Sequence, residues 1–181
     1  ANQGDVLINA RLAADFLGAT KMDRPEWGAV NHRNGEIYFA LTNNSASNRT
    51  PVKVDAANPR AYMDADGKKS AGNPNGHIIR WIESEPSAMT LRWDVYLFGA
   101  RATADAQNVN LSGLTAGNDF SSPDGAWFGS NGIFWIQTDD GAYTDVTNCM
   151  LLAALPGVVG DGAARTVTNT DATGATKTVQ T

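Results

Sequence analysis

Two short stretches carry the residue types that chemistry needs. Arg24-Pro25-Glu26 lies in GATKMDRPEWGAV, and Pro123-Asp124-Gly125 lies in SSPDGAWF, 98 residues further on by the two prolines. Proline fixes φ near about −65° and biases the residue before it toward extended backbone, so Arg24 and Glu26 can project toward the same rim of a strand-entry loop. A guanidinium there can grip a phosphate with paired hydrogen bonds, and a carboxylate can bind a hard cation. The same residues also suit a structural Arg–Glu pair in a solvated turn, with Lys21 and Asp23 thickening the polar cluster. Asp124 holds the matching place in the second stretch, where Pro-Asp-Gly is also a common turn tripeptide.

The stretches belong to longer repeated units. Each runs through Pro and an acid to an Asn-Gly pair, then into an aromatic strand that ends at Thr before two amide or acid residues: GEIYFALTNN in the first, GIFWIQTDD in the second. The Asn-Gly pairs in HRNG and SNG predict tight hairpin turns in which both residues take positive φ. Alternation sets Ile37, Phe39 and Leu41 against Glu36, Tyr38 and Ala40, and sets Phe134 and Ile136 against Ile133, Trp135 and Gln137. Neither strand has a wholly polar face, which places both inside stacked sheets.

Further strand signals are GHIIRWIE, MTLRWDVYLFG and GDVLINARL, bounded by Gly, Pro, Asn or Asp. The fold class is mainly β. Repeated units of this kind read as a partial β-propeller of two to three antiparallel blades, with a more diverged sheet between the two matching ones. The segments 43–76 and 100–119 are too long for simple hairpins and read as rim loops. Residues 1–157 form the propeller part, and 158–181, rich in Thr, Ala and Gly, read as a mobile tail or an edge strand.

The other candidates have plainer readings. Asn43, Asn44, Asp139 and Asp140 end strands, where amides and acids serve local hydrogen bonding as readily as calcium. Asp64 and Asp66 in MDADGKKSAG begin like a calcium loop, but the closing Glu is missing and a surface turn fits better. His32 and His77 do not form a zinc signature. Cys149, the single cysteine, sits in an apolar run as a buried thiol, and the five tryptophans read as core. The sequence has no G-x-S-x-G, no Walker loop and no G-x-G-x-x-G.

Composition narrows the classes. The 181 residues are 42% hydrophobic and 18% charged, as in a folded domain. The net charge of −5, with 14 scattered basic residues, gives no stripe to neutralise a nucleic-acid backbone. No apolar run approaches the roughly 18 residues of a membrane span, and the start lacks a signal-peptide pattern. The chain lacks an initiating Met and reads as a mature form or an excised piece.

Four blocks, GATKMDRPEWGAVNHRNGEIYFALTNNS, NGHIIRWIE, DFSSPDGAWFGSNGIFWIQTDD and NCMLLAALPG, resemble in order and spacing the PhoX family of alkaline phosphatases. The resemblance runs from about residue 5 to 157. It implies a six-bladed propeller with an iron and calcium centre on its axis, hydrolysing phosphate monoesters in the periplasm or outside the cell after twin-arginine export. It implies Arg24 as the phosphate contact and Glu26 as a metal-bridging carboxylate, with Asp124 first and Asn118 second as a further ligand. The family's iron-binding cysteine and several carboxylates belong to an earlier part of the ring that has no counterpart here, and Cys149 stands in a different block. Where the family continues into a basic strand, this chain runs into VVGDGAARTVTNTDATGA. The resemblance is therefore to a middle to late part of a phosphatase, inactive alone, whose partners would be the remaining propeller segment or further copies joined at open sheet edges. Two alternatives stand beside it: a non-catalytic calcium-binding or interaction module, and a lactonase-like propeller, against which Arg24 counts.

Overall fold

A computed structural model describes residues 2–64, 70–139 and 148–181. Asp66 and Asp140 lie outside the described residues. The chain opens with two short helices, α1 (Gln3–Ile8) and α2 (Ala10–Phe16), where GDVLINARL predicts a strand. The reason is local. Asn2 and Asp5 form a capping box, each side chain accepting from the other's backbone N–H at 3.1 and 3.0 Å. Val6 and Ile8 are the only β-branched residues in the stretch, and the alanines and leucines around them favour helix. Neither helix buries a residue.

The strands follow as β1 (Pro25–Val30), β2 (Ile37–Leu41), β3 (Asn44–Ser45), β4 (Tyr62–Met63), β5 (Ala71–Asn73), β6 (His77–Glu83) and β7 (Leu91–Phe98). After these come β8 (Pro123–Phe128), β9 (Phe134–Thr138), β10 (Leu151–Ala154), β11 (Thr166–Thr170) and β12 (Thr176–Gln180). An antiparallel sheet in the order β1-β2-β6-β7 makes one blade, and β8-β9-β10 makes a second. The first strand of each repeated unit, β1 or β8, lies at the edge of its sheet. This is the partial propeller that the strand pattern predicts.

The two repeated units are neighbours. β1 and β2 pack directly on β8 with no sheet between them, so the expected diverged intermediate blade does not exist. β6 and β7 instead complete the first blade. The seam is aromatic: Tyr38, Ile78 and Ala29 meet Ala126, Phe128, Phe134 and Ile136, with the Tyr38 ring 4.9 Å from that of Phe134 and 5.1 Å from that of Phe128. Each such ring pair adds about 0.5–1.5 kcal/mol beyond the area it buries.

The repeat is a repeat of backbone as well as of letters. Arg24 and Ser122, each just before the proline, have φ of 49° and 53°. β1 and β8 then each slip register once against their partners, between Pro25 and Gly28 and between Pro123 and Ala126. Thr42 N–H donates to the Arg24 carbonyl at 3.2 Å, and Asp139 N–H donates to that of Ser122 at 2.9 Å. In the hairpin turns only Gly35 and Gly132 take positive φ, at 79° and 82°, while Asn34 and Asn131 do not. The turns are thus longer than the two-residue form that Asn-Gly predicts, because that form needs positive φ at both central residues.

The long loops are tied down by buried polar groups. Arg60 is wholly buried and donates to the carbonyls of Gly99 at 2.8 Å and Val109 at 2.6 Å, and to Asn73 Oδ1 at 3.0 Å. Gly76 turns the chain into β6 at φ 64°, where an added Cβ would lie 2.0 Å from the Thr42 carbonyl oxygen. After β10 the chain crosses back over the first blade: Val159 N–H donates to Glu36 Oε1 and Gly160 N–H to Asp94 Oδ2 at 2.7 Å. β11 and β12 then pair as a hairpin, with Val167 packed beside Phe98 and Leu111 and Asn169 Oδ1 accepting from Ala61 N–H at 2.6 Å. The Thr-rich stretch is therefore a packed hairpin rather than a mobile tail or a lone edge strand.

Two core expectations fail. Cys149 is exposed, just ahead of β10. No tryptophan is buried: Trp27, Trp93 and Trp127 are 55%, 39% and 65% exposed, and Trp81 and Trp135 are half-buried. Trp81 and Trp93 share one groove on the first blade, and Trp27 of β1 reaches across to share another with Trp127 and Trp135 of the second. Phe39, Ile79, Trp81 and Trp93 border an apolar groove on the first blade, and Trp127, Trp135 and Leu151 border another on the second.

Candidate functional site

Arg24 stands at the entry to β1, held at positive φ by its carbonyl bond to Thr42 and followed by the proline that starts the strand. Its side chain is 59% exposed. Nη1 donates to Asn43 Oδ1 at 2.7 Å, and Nη2 lies 3.7 Å from Glu26 Oε1, an ion pair too long for a hydrogen bond. Asn43 follows β2 and donates its Nδ2 to Ser122 Oγ at 3.1 Å, in the neighbouring blade. Asp124 is the second residue of β8, as Glu26 is of β1, and is half-buried. Arg24 and Glu26 thus sit side by side, and Asn43 links them to the strand entry that carries Asp124. Asn118 is used differently: it is exposed in the preceding loop, and its Oδ1 accepts from Thr115 N–H at 2.7 Å and Thr115 Oγ1 at 3.0 Å.

The family model of alkaline phosphatase PhoX matches residues 1–181. This chain belongs to the PhoX family. It is similar to the solved structure of Pseudomonas fluorescens PhoX in complex with vanadate, a transition state analogue, with a TM-score of 0.70 and 33% identity. The match covers 92% of this chain and 30% of the Pseudomonas PhoX chain. A comparison with curated proteins finds no match.

Behind the exposed Arg24, the neighbouring Asp23 anchors a buried network that sequence reasoning missed. The Asp23 carboxylate, fully buried, accepts from Arg49 Nε at 2.8 Å, Asn44 Nδ2 at 2.8 Å and Asn73 Nδ2 at 3.0 Å. Its backbone N–H donates to Asn58 Oδ1 at 2.9 Å. An ion pair this deep is sustained only when its remaining lone pairs are also satisfied, and here three donors do so. His77 extends the network. Nε2 lies 2.7 Å from the Ala57 carbonyl, which only accepts, so Nε2 carries the proton and Nδ1 accepts from Asn73 Nδ2 at 3.1 Å. Burial pulls the His77 pKa down to about 4, against the raising effect of Asp23. The signal in the sequence was the adjacency of Asp23 to Arg24, but nothing local shows that one points inward and the other out.

Among the described residues no three or more His, Cys, Asp or Glu side chains gather as a metal cluster. Asp64, from the incomplete calcium loop, is buried against Arg101 Nε at 3.3 Å and Asn75 Nδ2 at 3.2 Å. Its carboxylate is neutralised by protein donors, in place of the surface turn that the sequence suggests. Glu26 and Asp124 are oxygen-bearing side chains on the contacting strands β1 and β8, two groups against the roughly six to eight ligand atoms that a calcium takes. The described residues therefore do not complete a centre for calcium or iron.

Proposed function

We propose that this chain carries the phosphate-binding rim of a secreted or periplasmic PhoX-type alkaline phosphatase acting on phosphate monoesters. The observation that carries the reading is the exposed Arg24 side chain, set at the entry to β1 and hydrogen-bonded on one edge, in a chain of the PhoX family. Arg24 binds a phosphoryl oxygen pair and offsets charge that develops there. Glu26 and Asp124 supply carboxylates for hard cations such as calcium and iron, whose chemistry when bound is to polarise phosphoryl oxygens. Two carboxylates do not make such a centre, so the chain by itself does not turn substrate over. The rest of the donors come from a remaining propeller segment or from further copies set against the open blades. No described helix is long and apolar enough to cross a membrane.

A second reading is a non-catalytic calcium-binding or interaction module, favoured by the apolar grooves bordered by Trp93 and by Trp127. Metal content by mass spectrometry, run beside hydrolysis of a chromogenic phosphate monoester with Ca²⁺ and Fe³⁺ added, separates the two. Metal binding that falls in Glu26→Ala, without turnover in the chain alone and with turnover once the complementary part of a PhoX ring is added, supports the first. Calcium retained in Glu26→Ala, or no turnover in the reconstituted ring, supports the second.

A further inference from the structure

We propose that Asn43, braced by Ser122 of the neighbouring blade, is a positioning residue that fixes the Arg24 guanidinium for a tetrahedral oxyanion. This rests on the reading of Arg24 as the phosphate contact. A guanidinium only donates, so the Asn43 amide oxygen must face Arg24, as it does at 2.7 Å, and the NH₂ must point away. That NH₂ meets Ser122 Oγ at 3.1 Å, which must then be the acceptor. Ser122 Oγ lies 3.1 Å from Ser121 Oγ, and Ser121 Oγ donates to the Pro74 carbonyl at 3.4 Å, so the brace continues into buried structure.

The bonds therefore link Arg24 through Asn43 to Ser122 of the neighbouring blade. An amide held at its far end cannot swing away, so the Asn43 oxygen stays aimed at the guanidinium. Both ends are rooted in rigid backbone. Arg24 and Ser122 occupy equivalent corners at φ 49° and 53°, and Ser121 and Ser122 are wholly buried. Holding one edge of the guanidinium fixes a long, rotamer-rich side chain before any ligand arrives, and directs the remaining N–H groups outward. Asn43 thus joins two blades to one anion contact.

The test uses the full chain and inorganic phosphate. Arginine side-chain NMR reads rotation of the Arg24 guanidinium, with the exposed Arg11 as the freely rotating reference, and a phosphate titration reads affinity. Expected are slow rotation in the wild type, rotation as fast as that of Arg11 in Asn43→Ala, and an affinity for phosphate lower by about tenfold. In an Arg24→Ala background Asn43→Ala changes phosphate affinity no further. Asn43→Asp, which keeps the acceptor, restores slow rotation but not affinity, since its charge opposes the anion; this sets positioning apart from loss of fold. Rotation as free in the wild type as in Asn43→Ala overturns the proposal. So does an affinity that Arg24→Ala abolishes and Asn43→Ala leaves alone, an outcome that keeps the Arg24 reading intact. Phosphate binding that is undetectable, or insensitive to Arg24→Ala, removes the reading and the proposal together, whatever the rotation.

Discussion

Arg24 and Ser122 are the two non-glycine residues with positive φ among those described, at 49° and 53°, separated by the same 98 positions as Arg33 and Asn131, which hydrogen-bond to each other across the blades. Left-handed backbone costs an L residue about 1–2 kcal/mol and costs glycine almost nothing. Because each side chain also makes a hydrogen bond, alanine is the proper reference. Arg24→Gly should be more stable than Arg24→Ala by about 1 kcal/mol, and Ser122→Gly more stable than Ser122→Ala by a similar margin. Chemical denaturation of the four variants checks this, and alanine equal to glycine at both sites would mean that the corners are unstrained.

Arg80 clamps the crossing segment to the first blade. Its side chain is 2% exposed; it binds both Asp94 oxygens at 2.7 and 2.9 Å and Asp161 Oδ1 at 2.5 Å, and lies 5.1 Å over the Tyr96 ring. Burial alone would lower its pKa, but these partners, Asp94 first, raise it above the ordinary value. Arg80→Met should lose about 3–5 kcal/mol, because it strands buried acceptors, whereas Asp161→Asn should lose only about 1 kcal/mol, its carboxylate being 44% exposed. Equal losses for the two variants in urea unfolding would show that the clamp is not centred on Arg80.

His77 makes stability depend on pH. Its folded pKa lies near 4, below the usual 6.5, so the unfolded chain binds the proton more readily. The stabilisation is therefore complete above about pH 6.5 and is lost as pH falls toward 4, amounting to on the order of 3 kcal/mol. In His77→Gln, which can still accept from Asn73 and donate to Ala57, the slope across that window should flatten. A slope that persists unchanged would assign it to other groups.

The exposed tryptophans predict association. Trp93 and Trp127 are 39% and 65% exposed and border two separate apolar grooves. Apolar patches of this kind mark contact surfaces. Size-exclusion chromatography with light scattering should find a dimer or larger form, and Trp93→Glu with Trp127→Glu should yield monomers of undiminished thermal stability. A compact wild-type monomer would contradict this.

Much of this architecture was legible in the sequence. The alternation in GEIYFALT and GIFWIQT correctly gave strands, but only one face of each is fully buried: Tyr38 and Ala40 in the first, Phe134 and Ile136 in the second; the Pro-acid repeat marked two equivalent strand entries. Adjacency of those blades was not legible, because the strands between them carry no mark of belonging to the first blade. Tryptophan misled for a related reason. An aromatic strand face reads as core whether or not a neighbouring sheet covers it, and here two such faces are uncovered among the described residues. Arg24 and Glu26 stand out by residue type and the fold sets them side by side, whereas the contacts of Asn43 and Asp23 are not legible in the sequence. Their parts depend on contacts with Ser122 and Asn73, residues far along the chain that only the fold brings near.

The central claim is that Arg24 is the anion contact of this chain. The most direct measurement is calorimetric titration of orthovanadate, the ligand in the Pseudomonas PhoX complex, into wild type and Arg24→Lys. The lysine keeps the charge but loses the forked donor geometry. Binding that weakens by about tenfold or more in Arg24→Lys is the predicted result. Equal affinity in the two proteins would contradict it, placing the anion elsewhere or reducing Arg24 to a diffuse surface charge.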